Sequence, residues 1–281
     1  MNDFEIVEQH QSFGGLQLVV RHAAKTTACP MTLAIYLPPQ AQEAGKLPMV
    51  TWLSGLTCTH ANAMDKGEYR RAAAELGLIV ICPDTSPRGD GVADDPAYDF
   101  GQGAGFYLDA DQPPWADHFQ MYSYVTRELP ELVAARFPAD LNRHGLFGHS
   151  MGGHGALTLA LREPERYRSV SAFSPIVHPS RVPWGRKAFT GYLGTDEKRW
   201  RAHDAVALIE DGARVRDILI DVGTADPFLE RELTPDALEA ACAKTAIPLT
   251  LRRQPGYDHS YFFVSTFMAA HLAWHAARLT V

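Results

Sequence analysis

From Met49 onward the chain repeats one pattern: a short continuous apolar run, a longer stretch with helical spacing, then another apolar run. The runs lie at 50–53, 79–82, 145–147, 170–173, 218–222 and 249–251, and the helix-like stretches at 69–76, 121–137, 153–162, 235–244 and 261–279. Runs without polar alternation suit strands buried on both faces, and strands alternating with helices pair in parallel through helical crossovers. The segment ahead of Met49 differs. Residues 5–13 and 16–23 flank Gly14-Gly15, a two-residue hairpin signal, and 32–37 follows with partial alternation,. The expected fold class is therefore α/β: a mostly parallel central sheet with antiparallel N-terminal strands and helices on both faces.

A chain of 281 residues is within reach of one large α/β domain. No repeat, low-complexity stretch or linker divides it, so a single domain over 1–281 is expected,. Hydrophobic residues make up 46% and charged residues 21%, a globular rather than a disordered balance. The net charge is −7 and no basic stripe is present, which argues against a nucleic-acid partner. Met1-Asn2-Asp3-Phe4-Glu5 lacks the basic start and apolar run of a secretory leader, and no run approaches the roughly 18 apolar residues of a membrane span,. A soluble, cytoplasmic protein without a membrane partner is expected. The four cysteines are widely spaced with no C-x-x-C pair, so reduced thiols are expected. The histidines form no metal-ligand pattern, which points to chemistry without metal or cofactor,. Gly101-Gln102-Gly103-Ala104-Gly105 lacks the G-x-G-x-x-G spacing and reads as a flexible segment near the site,.

In open α/β sheets ligands bind beyond the carboxyl ends of the strands. There the chain carries Gly148-His149-Ser150-Met151-Gly152, a G-x-S-x-G pattern between an apolar run and a small-residue helix start. Such a strand-turn-helix elbow presents a serine hydroxyl on a strained turn, with glycines allowing close approach on either side. A serine hydroxyl needs an imidazole to take its proton and a carboxylate to orient that imidazole. The chain order in this arrangement is serine, acid, histidine. His259, in the polar break Gly256-Tyr257-Asp258-His259-Ser260, is the base candidate; His271 and His275 stand at i and i+4 in a helical stretch and read as surface or packing residues,. Asp226 follows the run 218–222 and is the acid candidate. Asp217 lies at the wrong end of that run, Asp221 inside it, and Asp258 reads as a brace for its own loop. His149 reads as a structural elbow residue.

Attack on a carbonyl generates an oxyanion that fixed backbone N–H groups stabilise. Met151, directly after the serine, and Leu56, in the earlier loop Leu53-Ser54-Gly55-Leu56-Thr57-Cys58, are the donor candidates,. The same loop brings Cys58 near Ser150, so a thiol nucleophile is the rival reading; no elbow presents that sulfur.

Beyond these residues the chain resembles the esterase D family of α/β-hydrolases and, within it, the S-formylglutathione hydrolases. The resemblance runs over nearly the whole length. It rests on Gly148-His149-Ser150-Met151-Gly152-Gly153, Leu53-Ser54-Gly55-Leu56-Thr57-Cys58-Thr59 with Asn62, Ser86-Pro87-Arg88-Gly89 and Gly103-Ala104-Gly105-Phe106-Tyr107. Met121-Tyr122-Ser123-Tyr124-Val125, Pro183-Trp184-Gly185, Lys187-Ala188-Phe189 and Gly256-Tyr257-Asp258-His259-Ser260-Tyr261 extend it. The resemblance implies an α/β-hydrolase fold and a serine thioesterase that cleaves S-formylglutathione to formate and glutathione without a cofactor. It implies a triad of Ser150, Asp226 and His259, oxyanion donors Leu56 and Met151, Cys58 beside the site, and Trp184 as a pocket wall. A homodimer is a further implication. His178, Val182 and Val222 depart from the family pattern and bear on leaving-group preference. Arg88, Arg186 and Lys187 are candidates to meet the carboxylates of glutathione. A broad short-chain carboxylesterase, an acyltransferase and a silent binding protein remain as alternatives.

Overall fold

Nine strands form one sheet in the order β1-β2-β3-β5-β4-β6-β7-β8-β9. The computed structural model describes residues 4–43 and 45–280; Met1, Asn2 and Asp3, part of the N-terminal segment read above for a leader, lie outside them. β1 (Glu5–Ser12), β2 (Gly15–Ala24) and β3 (Cys29–Leu37) pair antiparallel, and β3 pairs antiparallel with β5 (Ile79–Pro83). β4 (Leu47–Leu53), β5, β6 (Ala139–His149), β7 (Ser169–Phe173), β8 (Ile218–Gly223) and β9 (Leu249–Gln254) run parallel. This is the expected division between an antiparallel edge and a parallel centre.

The first hairpin turns one residue earlier than the Gly14-Gly15 signal suggests. Phe13 and Gly14 carry φ of +48° and +74°, the left-handed pair that a tight hairpin turn needs, and Ser12 pairs with Gly15. Gly15 answers a different constraint: a Cβ there would lie 2.2 Å from the carbonyl oxygen of Leu37.

Alternation along the central strands sends side chains to two cores. Val50 and Trp52 of β4, Val80 of β5, Phe147 of β6 and Phe173 of β7 pack against helices α1 (His60–Lys66) and Arg70–Leu76 and the C-terminal helix. Met49, Leu53, Ile79, Ile81, Leu146 and Val170 face the opposite layer. That layer holds residues 121–136, α2 (Met151–Arg162), Ala205–Glu210 and Pro235–Thr245. The stretch expected as one helix at 121–137 is interrupted. Pro130 has no N–H to give the Thr126 carbonyl, and the turn ahead of it, Tyr124–Glu128, widens.

Two helices near the site escape the sequence pattern: α1, and α3 (Pro183–Leu193). Helix α4 (Tyr261–Leu279) has the expected bounds. Among the described residues no helix is long and apolar enough to cross a membrane.

Candidate active site

β6 delivers the chain to Ser150 and α2 carries it away. Between them Ser150 adopts φ +59°, ψ −120°, a conformation that side chains disfavour by about 1–3 kcal/mol. The surroundings hold it there. Ser150 N donates to Phe173 O at 3.0 Å, and Ser150 O accepts from His154 N at 3.0 Å. A Cβ on Gly152 would lie 1.9 Å from Leu53 O, and one on Gly148 would lie 2.5 Å from both Leu53 O and Gly152 O. The glycines of the elbow thus let β4, β6 and α2 touch backbone to backbone.

Asp226 sits in the turn directly after β8. Its Oδ1 accepts from Phe228 N at 2.9 Å, and its Oδ2 lies 2.5 Å from Nδ1 of His259. That carboxylate is fully enclosed, while the His259 side chain keeps 16% exposure. The loop after β9 comes close because Gly223 has no side chain: a Cβ there would lie 2.2 Å from Tyr257 O, and Ala225 N donates to that same carbonyl at 2.9 Å. The imidazole is walled by His149, with ring centroids 4.4 Å apart, and by Phe228 at 5.0 Å. With Nδ1 engaged by the carboxylate, Nε2 is the nitrogen left to exchange a proton. Ser150 and His259 line one cavity of about 260 Å³. No hydrogen bond joins them among the described residues, and bonds of this kind often tighten only when substrate is bound.

The loop after β4 runs against the elbow. A Cβ on Gly55 would stand 3.1 Å from Ser150 Cβ, and Leu56 lines the same cavity. The loop is pinned on both sides: Thr57 N donates to Gly103 O at 2.9 Å, Gly103 N to Ser86 Oγ at 2.7 Å, and Tyr107 Oη to Ser54 O at 2.8 Å. The glycine-rich segment 101–105, expected to be flexible, is therefore a hydrogen-bonded brace, with Gly101 N held by Tyr192 Oη as well. Thr59 and Asn62 cap α1 reciprocally. The Leu56 amide has no acceptor among the described residues, and Met151, as the first helical residue, has no intrahelical acceptor. Both amide hydrogens are thus unengaged, Met151 directly after Ser150 in the chain and Leu56 on the cavity that Ser150 lines.

Cys58 and Trp184 line the cavity with Tyr98 and Phe228. Burial pushes the Cys58 thiol above its usual pKa, more than Gly55, Lys66 and Arg88 lower it. That disfavours the thiolate a cysteine nucleophile requires. Trp184 packs tilted against Phe228, with ring centroids 4.7 Å apart, and donates through Nε1 to Tyr98 Oη at 3.1 Å. Tyr98 and Phe228 escaped the sequence reading. Phe228 is two residues from Asp226, a proximity that could have flagged it; nothing in sequence marks Tyr98.

Of the three basic candidates, Arg88 turns inward to Asp84 at 2.9 Å and to Cys58 O at 3.0 Å, and Arg186 pairs with Glu197 at 2.9 Å. Lys187 faces an adjoining cleft. His178 is tied to Asp204 at 2.7 Å, and Val182 and Val222 are buried. Asp258 braces its loop through Ser260 N at 2.9 Å, and Asp217 pairs with Arg278 at the far end of β8. His271 and His275 are packing residues, both fully buried. No cluster of three or more metal-ligating side chains is found among the described residues.

Residues 24–274 match the Esterase family model, described as "Putative esterase". The chain is 57% identical over 276 residues to an S-formylglutathione hydrolase of Paracoccus denitrificans (strain Pd 1222), covering 98% of each chain. It is 53% identical over 277 residues to an S-formylglutathione hydrolase of Mus musculus, covering 97% of this chain and 98% of the relative. A solved S-formylglutathione hydrolase from Agrobacterium tumefaciens superposes with a TM-score of 0.97 at 56% identity, covering 98% of this chain and 99% of that one.

Proposed function

The chain belongs to the esterase family, with an α/β-hydrolase fold, and from that premise we propose that it hydrolyses S-formylglutathione through Ser150, His259 and Asp226. His259 Nε2 takes the Ser150 proton as Oγ attacks the formyl carbon. The developing oxyanion is met by the amides of Leu56 and Met151. Collapse breaks the carbon–sulfur bond, the glutathione sulfur leaves with the proton from His259, and a formyl ester remains on Ser150. Water then attacks that ester with His259 again as base, which regenerates the hydroxyl and releases formate. Asp226 holds the imidazole with Nδ1–H toward its carboxylate, so Nε2 is the basic nitrogen throughout.

The observation that carries this reading is the 2.5 Å contact of His259 Nδ1 with the enclosed Asp226 carboxylate, on the cavity that Ser150 also lines. Cys58 and Trp184 serve as walls for the substrate. A formyl group is the smallest acyl unit, so rates should fall as the acyl chain lengthens. The test is kcat/KM for S-formylglutathione against S-acyl homologues and short aryl acetates. Faster cleavage of long-chain esters than of S-formylglutathione would sink the reading. Comparable turnover of short aryl acetates would mark a broad carboxylesterase instead. A homodimeric state rests on the family resemblance, and light scattering tests it; fractionation tests the expected cytoplasmic location.

A further inference from the structure

Beside the cavity of Ser150 lies a second cleft of about 280 Å³, and the two share Tyr98, Trp184 and Phe228 as a common wall. Four charged side chains of both signs line the second cleft: Asp99, Lys187, Arg231 and Glu232. Glu232 is 3% exposed at its side chain. One of its oxygens accepts from Trp184 N at 3.0 Å, and the other lies 3.5 Å from Arg231 Nε, longer than a good charge-assisted bond,. An enclosed carboxylate so thinly partnered is costly, and burial pushes its pKa up. Arg231 keeps 77% of its side chain exposed. Lys187 pairs with Asp99 across the cleft.

We infer that this second cleft binds the γ-glutamyl end of the glutathione leaving group, Glu232 taking its α-ammonium and Arg231 with Lys187 its α-carboxylate. The inference rests on the thioesterase reading above and adds what selects the thiol. A γ-glutamyl head carries one charge of each sign on one carbon, which matches a cleft built of opposed charges. The anionic glycine end would set its carboxylate against Glu232. The two clefts adjoin through Tyr98, Trp184 and Phe228, and an extended chain from the cysteine sulfur to the γ-glutamyl α-carbon spans about 9 Å, so the head group lies well away from the thioester.

The test compares three substrates on wild type, Arg231→Met, Lys187→Met and Glu232→Gln: S-formylglutathione, the S-formyl thioester of N-acetylcysteinylglycine, and phenyl acetate. The truncated thioester keeps the formyl group and the glycine carboxylate and lacks the γ-glutamyl head. Wild type is expected to favour S-formylglutathione over it by at least about tenfold in kcat/KM. Arg231→Met and Glu232→Gln each abolish that preference, and Lys187→Met reduces it, with the truncated thioester and phenyl acetate changed less than about twofold. Equal cleavage of both thioesters by wild type overturns the inference and leaves the thioesterase reading standing. So does a preference that survives in Arg231→Met, or a Glu232→Gln variant that loses all three activities together, which would reduce Glu232 to a support for Trp184. A wild-type protein that cleaves phenyl acetate and leaves S-formylglutathione intact overturns the thioesterase reading itself, and this inference with it.

Discussion

β8 and the turn after it give an enclosed carboxylate to each of two histidines, and the two pairs differ in what surrounds the imidazole. Asp226 meets His259 on the cavity that Ser150 lines. Asp221 meets His271 at 3.0 Å in the core, where His271 Nδ1 also lies 2.8 Å from Ser171 Oγ. Serine, histidine and aspartate are thus assembled twice. In the core set both imidazole nitrogens are engaged and all three residues are fully buried. Ser171 lies within β7, a regular strand, with neither an elbow nor idle amides beside it. At the cavity the carboxylate takes Nδ1, Nε2 is unengaged, and the serine stands on a strained turn, with the idle amide of Met151 next in the chain and that of Leu56 on the same cavity. What separates the set proposed as catalytic from the structural one is therefore access and an unsatisfied nitrogen, rather than residue identity.

The sharpest way to break that comparison is to remove each serine in turn. Ser150→Ala is expected to lower kcat for S-formylglutathione on the order of 10⁶-fold, as in another serine hydrolase, with the melting temperature nearly unchanged. Activity within tenfold of wild type would mean that Ser150 is not the nucleophile. Next comes Asp226→Asn, expected to cost about 10⁴ in kcat because the imidazole loses the partner that fixes its tautomer. Asp221→Ala reverses the balance. Asp221 holds Arg252 Nε at 2.7 Å and Gln254 at 3.0 Å as well as His271, and although burial raises its pKa, His271 and Arg252 bring it below the usual carboxylate value. Removing it should cost about 3 kcal/mol in urea unfolding and leave the kcat of the folded protein within about threefold.

The core histidines also set the acid response. Burial holds His144 down to about 3 and His154 to about 4, and lowers His271 and His275 as well. Their unfolded values lie near 6.5. Between that value and the folded one the unfolded chain binds a proton that the folded chain does not, so stability is full above pH 6.5 and falls as pH drops below it. Each such histidine contributes about 1.4 kcal/mol per pH unit. Urea unfolding at pH 7.5, 6.5, 5.5 and 4.5 should show little slope above pH 6.5 and a steep loss below it; a flat profile would mean that these rings are charged in the folded state.

The cavity set was legible in sequence for a local reason. Ser150, Asp226 and His259 each lie where an apolar run ends, and the G-x-S-x-G spacing is itself a backbone requirement, seen in the 1.9 Å approach that Gly152 permits. The core set was illegible because its members become neighbours only through the sheet order. His275 and Ser169 are 106 residues apart, and His271 and Asp221 are 50 apart. An i, i+4 histidine pair on a helix looks the same in sequence whether it faces solvent or a sheet. Helix α3 was hidden by Gly185 and Gly191, poor helix formers. Close contacts demand them: a Cβ at Gly185 would lie 2.1 Å from Pro179 O, and one at Gly191 would lie 2.2 Å from the Phe100 ring. Arg88 was legible as a cation near the site, but not as one engaged by Asp84.

Ser171→Ala gives the smallest effect and the finest discrimination. The Asp221 carboxylate can only accept, so His271 Nε2 carries the proton between them and His271 Nδ1 must accept from Ser171 O–H at 2.8 Å. The Ser171 oxygen then accepts from His275 Nε2–H at 2.9 Å, and His275 Nδ1 accepts from Ser169 O–H at 2.6 Å. Every proton in this chain is ordered from one end, and both rings must be neutral, as their lowered pKa values require. Deleting the Ser171 hydroxyl strands one buried acceptor and one buried donor, at a cost of about 2 kcal/mol. It touches nothing that lines the cavity, so kcat and KM should be unchanged at temperatures where the variant is folded. A fall in kcat of more than about threefold with the fold intact would show that the buried chain and the cavity pair act as one unit, and the division between them would have to be abandoned.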